Sequence, residues 1–150
     1  MSRMLAIGLV CLGAALGGCS SSSPLTVEVP MDPTHQKLLQ IKLAYARFLA
    51  ENGTPPRSAD DIRPLLAGSE GGNPDDMLRS SRDGQPFVIF WGVDINAPLP
   101  WAKTVPVLAY EKEGVDGSRY VVTARQSIAL MSQQEFDQAS FPPANSGVSK

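Results

Sequence analysis

Between Thr34 and Asn52 the apolar residues Leu38, Ile41, Tyr45 and Phe48 recur at the three- and four-residue spacing of one helix face, widened by Leu39, Ala44 and Leu49. Lys37, Lys42, Arg47 and Glu51 fall on the other side. A helix so divided has to lay its apolar stripe on another layer, and that requirement governs what the rest of the chain can be. Asp32 or Thr34 can cap its start, Pro33 suits its first turn, and Asn52-Gly53 closes it.

The layer it needs is written downstream. Thr54-Pro55-Pro56-Arg57 breaks the chain, and Ser58 with Asp61 approximates a capping box for a short helix over 59–67. Ile62, Leu65 and Leu66 form its buried side, Pro64 weakens its second half and Gly68 ends it. Residues 68–76 read as a mobile loop before a turn of helix at 75–80. After the turn Arg82-Asp83-Gly84-Gln85, residues 86–91 (Pro-Phe-Val-Ile-Phe-Trp) form a strand apolar on both faces, which predicts a place in the middle of a sheet. A second strand over 105–112 is restricted by Pro106 to an edge or to its own first residues. Turn residues at 113–118 return the chain into a strand over 119–124, and Ile128 to Met131 adds a short one. Ser132 and Glu135 make a full capping box for a last helix over 133–139. The expected fold class is α+β: one long N-terminal helix packed on a three- to four-stranded antiparallel sheet, with short extra helices. It occupies residues 33–141 and is followed by a disordered tail over 142–150.

The N-terminus has a different character. Arg3 is the only charge before Glu28, and an unbroken apolar run from Met4 to Gly18 is too short to span a bilayer comfortably, since about 20 residues are needed. That is the pattern of an export signal over residues 1–18. The run ends Leu16-Gly17-Gly18-Cys19, which resembles the lipobox of bacterial lipoproteins. The resemblance implies cleavage after Gly18, a lipid (palmitate among its acyl chains) on Cys19, and a membrane partner held through that lipid. Two or three buried acyl chains anchor almost permanently, where one is marginal. Residues 19–32 then serve as a flexible tether, beginning Ser20-Ser21-Ser22-Ser23-Pro24. Ser20 stands where lipoproteins of this kind carry an Asp for inner-membrane retention, so the resemblance favours the outer membrane, with the domain facing the periplasm.

Charge and composition narrow the chemistry. Thirteen basic against fifteen acidic residues leave no excess of cations for a nucleic-acid partner. Removing residues 1–18 takes away Arg3, so twelve basic against fifteen acidic residues give a charge of −3. Cys11 leaves with the signal and Cys19 is the remaining thiol, which leaves no disulfide framework and no zinc–cysteine site. His35 is the single histidine and reads as a solvated first-turn residue. The pairs Asp60-Asp61 and Asp75-Asp76 sit at helix starts, where they favour the N-terminal dipole rather than a pair of catalytic carboxyls converging on a cleft. Trp91 closes an apolar strand and reads as core, whereas Trp101, in a Pro-rich loop, is the candidate exposed contact, and Tyr110 is a third aromatic that could line a groove. Neither a catalytic residue nor a metal or other cofactor is expected.

The order of elements adds one more resemblance. The helix ending Ala-Tyr-Ala-Arg-Phe-Leu-Ala-Glu-Asn-Gly-Thr-Pro-Pro, the segment Arg82 to Ile89, and Tyr120-Val121-Val122 ahead of Met131-Ser132-x-x-Glu135-Phe136 are similar to the soluble part of type II secretion pseudopilins and related prepilin-like proteins. That similarity implies a helix on an antiparallel meander and a link to a secretion or pilus-like assembly. Pilins keep their apolar helix and polymerise through it; here the apolar run ends in a lipobox, so filament assembly is not implied. Pseudopilins also bind calcium through a C-terminal acidic loop, which Glu113 and Asp116 could imitate, although two acids in a hairpin serve as plain turn residues. The expected protein is a non-enzymatic envelope lipoprotein that contacts another envelope protein. The alternative is a module that binds carbohydrate, peptidoglycan or calcium through the loops around Trp101 and 68–76.

Overall fold

The first helix begins and ends as its sequence dictates. In α1 (Pro33–Asn52) the Asp32 side chain accepts the Thr34 N–H at 2.7 Å, Pro33 fills a first-turn position that needs no donor, and Gly53, at φ +69°, closes the helix with its N–H on the Leu49 carbonyl at 2.9 Å. The computed structural model describes residues 32–68, 73–125 and 128–143; the apolar run, the Leu16-Gly17-Gly18-Cys19 motif and the tail from residue 144 lie outside these. The 20-residue α1 buries Leu38, Ile41, Ala44, Tyr45 and Leu49 of the stripe read from the spacing, while Leu39 and Phe48 are half-buried at its margins.

Against it lies α2 (Ala59–Ala67), held at its start by the Asp61 carboxylate, which accepts the Arg57 N–H at 2.7 Å and the Ser58 N–H at 3.3 Å. Pro64 does not end this helix. Ile62 and Leu66 are both fully buried, each worth about 1.5–3 kcal/mol, enough to offset the roughly 3 kcal/mol of an interior proline. The one-turn α3 (Pro74–Met77), capped by the Asn73 side chain, stops short of the expected 75–80, because the Leu78 carbonyl accepts the Phe87 N–H at 2.9 Å and Arg79 pairs with Pro86.

Four strands, β1 (Val88–Ile89), β2 (Val107–Tyr110), β3 (Ser118–Thr123) and β4 (Ile128–Ser132), form an antiparallel sheet in the spatial order β1-β2-β3-β4. The fold is thus α+β with a four-stranded antiparallel meander. One expectation is overturned. The segment over 86–91 is an edge strand of two residues, not a central one. Phe87, Ile89, Phe90 and Trp91 are buried because the segment 78–80 bonds to Gln85 and Phe87 at the start of this stretch and Tyr45 of α1 covers its end, so both faces are apolar without a strand on each side. Pro106 stands just ahead of the interior strand β2, where its missing N–H costs nothing and its carbonyl accepts the Ala124 N–H at 2.8 Å. Ser132 and Glu135 form the expected capping box on α4 (Gln133–Asp137).

Adjacent residues of β3 point to opposite faces, and their neighbours define the layers. Tyr120 meets the ring of His35 on α1 at 5.8 Å, edge to face, while the Arg119 guanidinium lies 4.3 Å over the ring of Phe136 on α4. The first helix and the last therefore cover opposite faces of the sheet. His35 is not the solvated residue expected: its Nδ1 is buried and has no hydrogen-bond partner among the described residues. Tyr110, Phe136 and Phe141 pack with centroids 4.9–6.2 Å apart on the α4 side.

The β2–β3 turn is built on positive φ angles at Gly114, Asp116 and Gly117. A Cβ on Gly117 would meet nothing within 4 Å, whereas one on Gly114 would run into the Ser118 carbonyl and come within 2.9 Å of the Arg119 Cβ. Gly114→Ala is therefore expected to cost more than Gly117→Ala, by about 1–3 kcal/mol, read from urea-unfolding midpoints. Leu38→Ala, at a fully buried position, is expected to cost about 2–5 kcal/mol in the same assay.

Candidate functional site

Glu111 is the single charged residue in the buried core of the described chain, at 0% exposure. It follows β2, and its carboxylate is fully engaged. Oε1 accepts the Ser80 hydroxyl at 2.6 Å; Oε2 accepts Arg82 Nη1 at 2.8 Å and the Tyr120 backbone N–H at 2.7 Å. Arg82 also reaches the Val115 carbonyl at 3.3 Å and lies 5.0 Å over the Tyr120 ring. The Ser80 oxygen in turn accepts the N–H groups of Arg82 and Asp83. With no exposed surface and a donor on each oxygen, this carboxylate clamps the 80–83 turn to β3.

Asp83 extends the clamp to the hairpin. Its carboxylate accepts the N–H groups of Gln85, Glu113 and Gly114 at 2.9–3.1 Å. Partial burial pushes this carboxyl up, but the three backbone donors and Ser80 outweigh burial and hold it below its usual value. With the folded value depressed, its contribution is present above the unfolded value near pH 4 and is lost as pH falls through the folded one. Glu113 therefore serves the hairpin through its backbone and Asp116 through its positive φ, and among the described residues no group of three His, Cys, Asp or Glu side chains could hold a metal ion.

The other helix-start acids are ion-paired. Arg63 bridges Asp60 and Asp75, the latter at 2.8 Å, and Lys37 reaches Asp76 at 3.0 Å, which ties α1, α2 and α3 together.

The concave feature nearest the predicted contact is a cleft of about 210 Å³ beside Trp101, walled by Gly92, Asp94, Pro98, Leu99 and Pro142. Its loop is pinned at both ends. At one end the Tyr45 hydroxyl lies 3.0 Å from the Val93 carbonyl and accepts the Val93 N–H at 2.9 Å; at the other the Ser140 oxygen accepts the N–H groups of Lys103 and Thr104. Asp94 folds back on the Asn96 and Ala97 N–H groups. Trp101 itself is half-buried and packs against the core rather than standing free. The three aromatics that might have shared a groove are apart: Trp91 is buried and stacked on Tyr45 at 6.1 Å, Tyr110 belongs to the Phe136 cluster, and Trp101 alone lines the cleft. Cys19 and the residues Leu16, Gly17 and Gly18 lie outside the described residues, as do 69–72 of the second loop.

Sequence reasoning missed Ser80, Arg82 and Glu111 as a unit. Their one signal is an acid at the end of an apolar strand with an Arg in the preceding turn, and no periodicity joins positions 29 residues apart.

Compared with protein-family models, curated proteins and solved structures, the chain matches none of them.

Two outcomes follow from these contacts. Arg82→Ala, which leaves Glu111 buried and unpaired, is expected to cost about 3–5 kcal/mol in urea unfolding, while Arg82→Met combined with Glu111→Leu costs less than Arg82→Ala alone. Burial, with the nearby Asp94 carboxylate adding to it against the Val93 hydrogen bond, pushes the Tyr45 hydroxyl up to about 12. The stability it supplies is thus complete below pH 10 and lost as pH rises toward 12. Tyr45→Phe is expected to flatten the alkaline limb of the stability curve, followed by circular dichroism.

Proposed function

We propose that this protein is a lipid-anchored protein of the bacterial cell envelope whose α+β domain is a non-enzymatic protein-interaction module. The observation that carries the reading is Leu16-Gly17-Gly18-Cys19 at the end of a short apolar run, with a polar tether behind it. The folded part is consistent with it in two respects. Among the described residues no helix is long and apolar enough to cross a membrane, so attachment in this reading falls to the lipid on Cys19. Glu111, the one deeply buried acid among the described residues, holds the 80–83 turn to the sheet. The pseudopilin-like order of elements, a long helix that ends in a Pro-Pro break ahead of an antiparallel meander, is the ground for placing the partner in a secretion or pilus-like assembly. Ser20 favours the outer membrane, with the domain in the periplasm.

A second reading rests on the cleft beside Trp101, which is large enough for a small ring and carries one acid, Asp94, at its rim. In that reading the domain binds a sugar or peptidoglycan fragment, or calcium, and titrating those compounds would quench the tryptophan fluorescence in wild type and not in Trp101→Leu.

The lipid anchor is tested by metabolic labelling with radioactive palmitate. Wild type is expected to carry label and to fractionate with membranes; Cys19→Ala is expected to lose the label and leave the membrane fraction. Label on neither protein would return the chain to a secreted or true prepilin reading.

A further inference from the structure

The two edges of the sheet are treated differently. On the β1 side the segment 78–80 bonds to Gln85 and Phe87 at the entrance to the strand, whereas β4 has β3 on one side and no strand among the described residues on the other. The pairing fixes which groups β4 turns outward. The Tyr120 carbonyl accepts the Glu111 N–H and so faces β2; Arg119 and Val121 therefore face β4, and their partners Met131 and Ala129 face inward. Ile128, Leu130 and Ser132 turn their N–H and C=O groups away from the sheet. The Ser132 N–H is taken by the Glu135 carboxylate at 2.8 Å. Natural edges are blunted by a charge, a proline or a bulge. This one, Ile128-Ala129-Leu130-Met131-Ser132, has none of them: it is uncharged, it pairs with β3 in unbroken register, and its middle residue, Leu130, is 53% exposed.

We propose that β4 is a self-association edge, and that its occupant is β4 of a second copy, related by a two-fold axis through Leu130 to give a continuous eight-stranded sheet. The register follows from the groups that remain available. With Leu130 opposite its own copy, the two residues exchange N–H and C=O in both directions, and at each end the Ile128 N–H meets the Ser132 carbonyl of the other chain. The Ser132 N–H, already bound by Glu135, stays out of the pairing, so the Ile128 carbonyl at each end of the seam takes no donor from the other strand. The charges agree. The two-fold sets the β3–β4 end of each chain, which carries the exposed cation Arg125, beside the end of the other chain's β4, where α4 begins with Glu135 in its first turn. The exposed Leu130 side chains lie side by side on the α1 face. The proposal does not depend on the lipid anchor, although anchoring would concentrate copies in two dimensions and favour it.

The test is disulfide trapping in cells expressing the full chain with Cys11→Ser and Cys19→Ser, so that an introduced cysteine is its only thiol. Paired residues about 5.5 Å apart at Cα are within disulfide reach. Under mild oxidation Leu130→Cys is expected to give a band at twice the chain mass on a non-reducing gel. Leu43→Cys, equally exposed on α1, gives none. Leu130→Lys, which sets two cations across the axis, is expected to sediment as a monomer at concentrations where the wild-type chain in detergent is a dimer, with an unchanged circular dichroism spectrum. A Leu130→Cys band no stronger than that of Leu43→Cys, a cross-link to a chain of different mass, or a wild-type chain that sediments as a monomer throughout would each overturn the proposal.

Discussion

A carboxylate with no exposed surface has to be given a partner for every lone pair it turns inward, and the way Glu111 meets that demand organises this domain. Its three donors come from three places in the chain: Ser80 and Arg82 from the turn before β1, and the Tyr120 backbone from β3. Meeting them fixes how far the turn stands from the sheet. That distance in turn sets the 78–80 segment beside the residues that lead into β1 and leaves the Arg82 guanidinium against the Tyr120 ring, which also meets His35 at the start of α1. One buried charge thus ties the first helix, the turn and the hairpin into a single geometry. Asp83, gathering three backbone donors beside it, does the same for the hairpin loop.

What could be read from the sequence divides along the range of the interactions involved. The starts of α1, α2 and α4 are legible because caps act within four residues: Asp32 on Thr34, Asp61 on Ser58, Glu135 on Ser132; the far end of α4, at Asp137 rather than 139, was not. The stripe of α1 is legible because periodicity is local too. The rank of β1 in the sheet was not, since an apolar run looks the same whether a strand or an irregular segment such as 78–80 lies beside it. His35 was misread for the same reason: nothing within its own helix announces Tyr120, 85 positions away. The Trp101 loop was placed correctly as a loop, but its half-buried tryptophan and its pins at Tyr45 and Ser140 are products of the tertiary fold.

The two polar anchors of the Trp101 loop also explain why a Pro-rich connection between β1 and β2 can be ordered. A loop of this length would ordinarily lose much conformational freedom on folding. Here Tyr45 and Ser140 bind backbone groups that would otherwise be buried or left to water, and the prolines reduce the freedom that has to be given up. The cleft beside Trp101 is the space that remains between these anchors.

Because the spatial order of the strands repeats their order in the chain, each new strand pairs with the one just made, across the long loop between β1 and β2 and across short loops after it. The first helix is the exception. Tyr45 finds its backbone partners 45 and 48 residues later, at Phe90 and Val93. A chain that emerges from a ribosome or a translocation pore with its N-terminus first therefore presents the apolar stripe of α1 well before the surface it packs on exists. During that interval the helix is a ready client for holding chaperones, and the rate at which the meander closes sets how long it stays one.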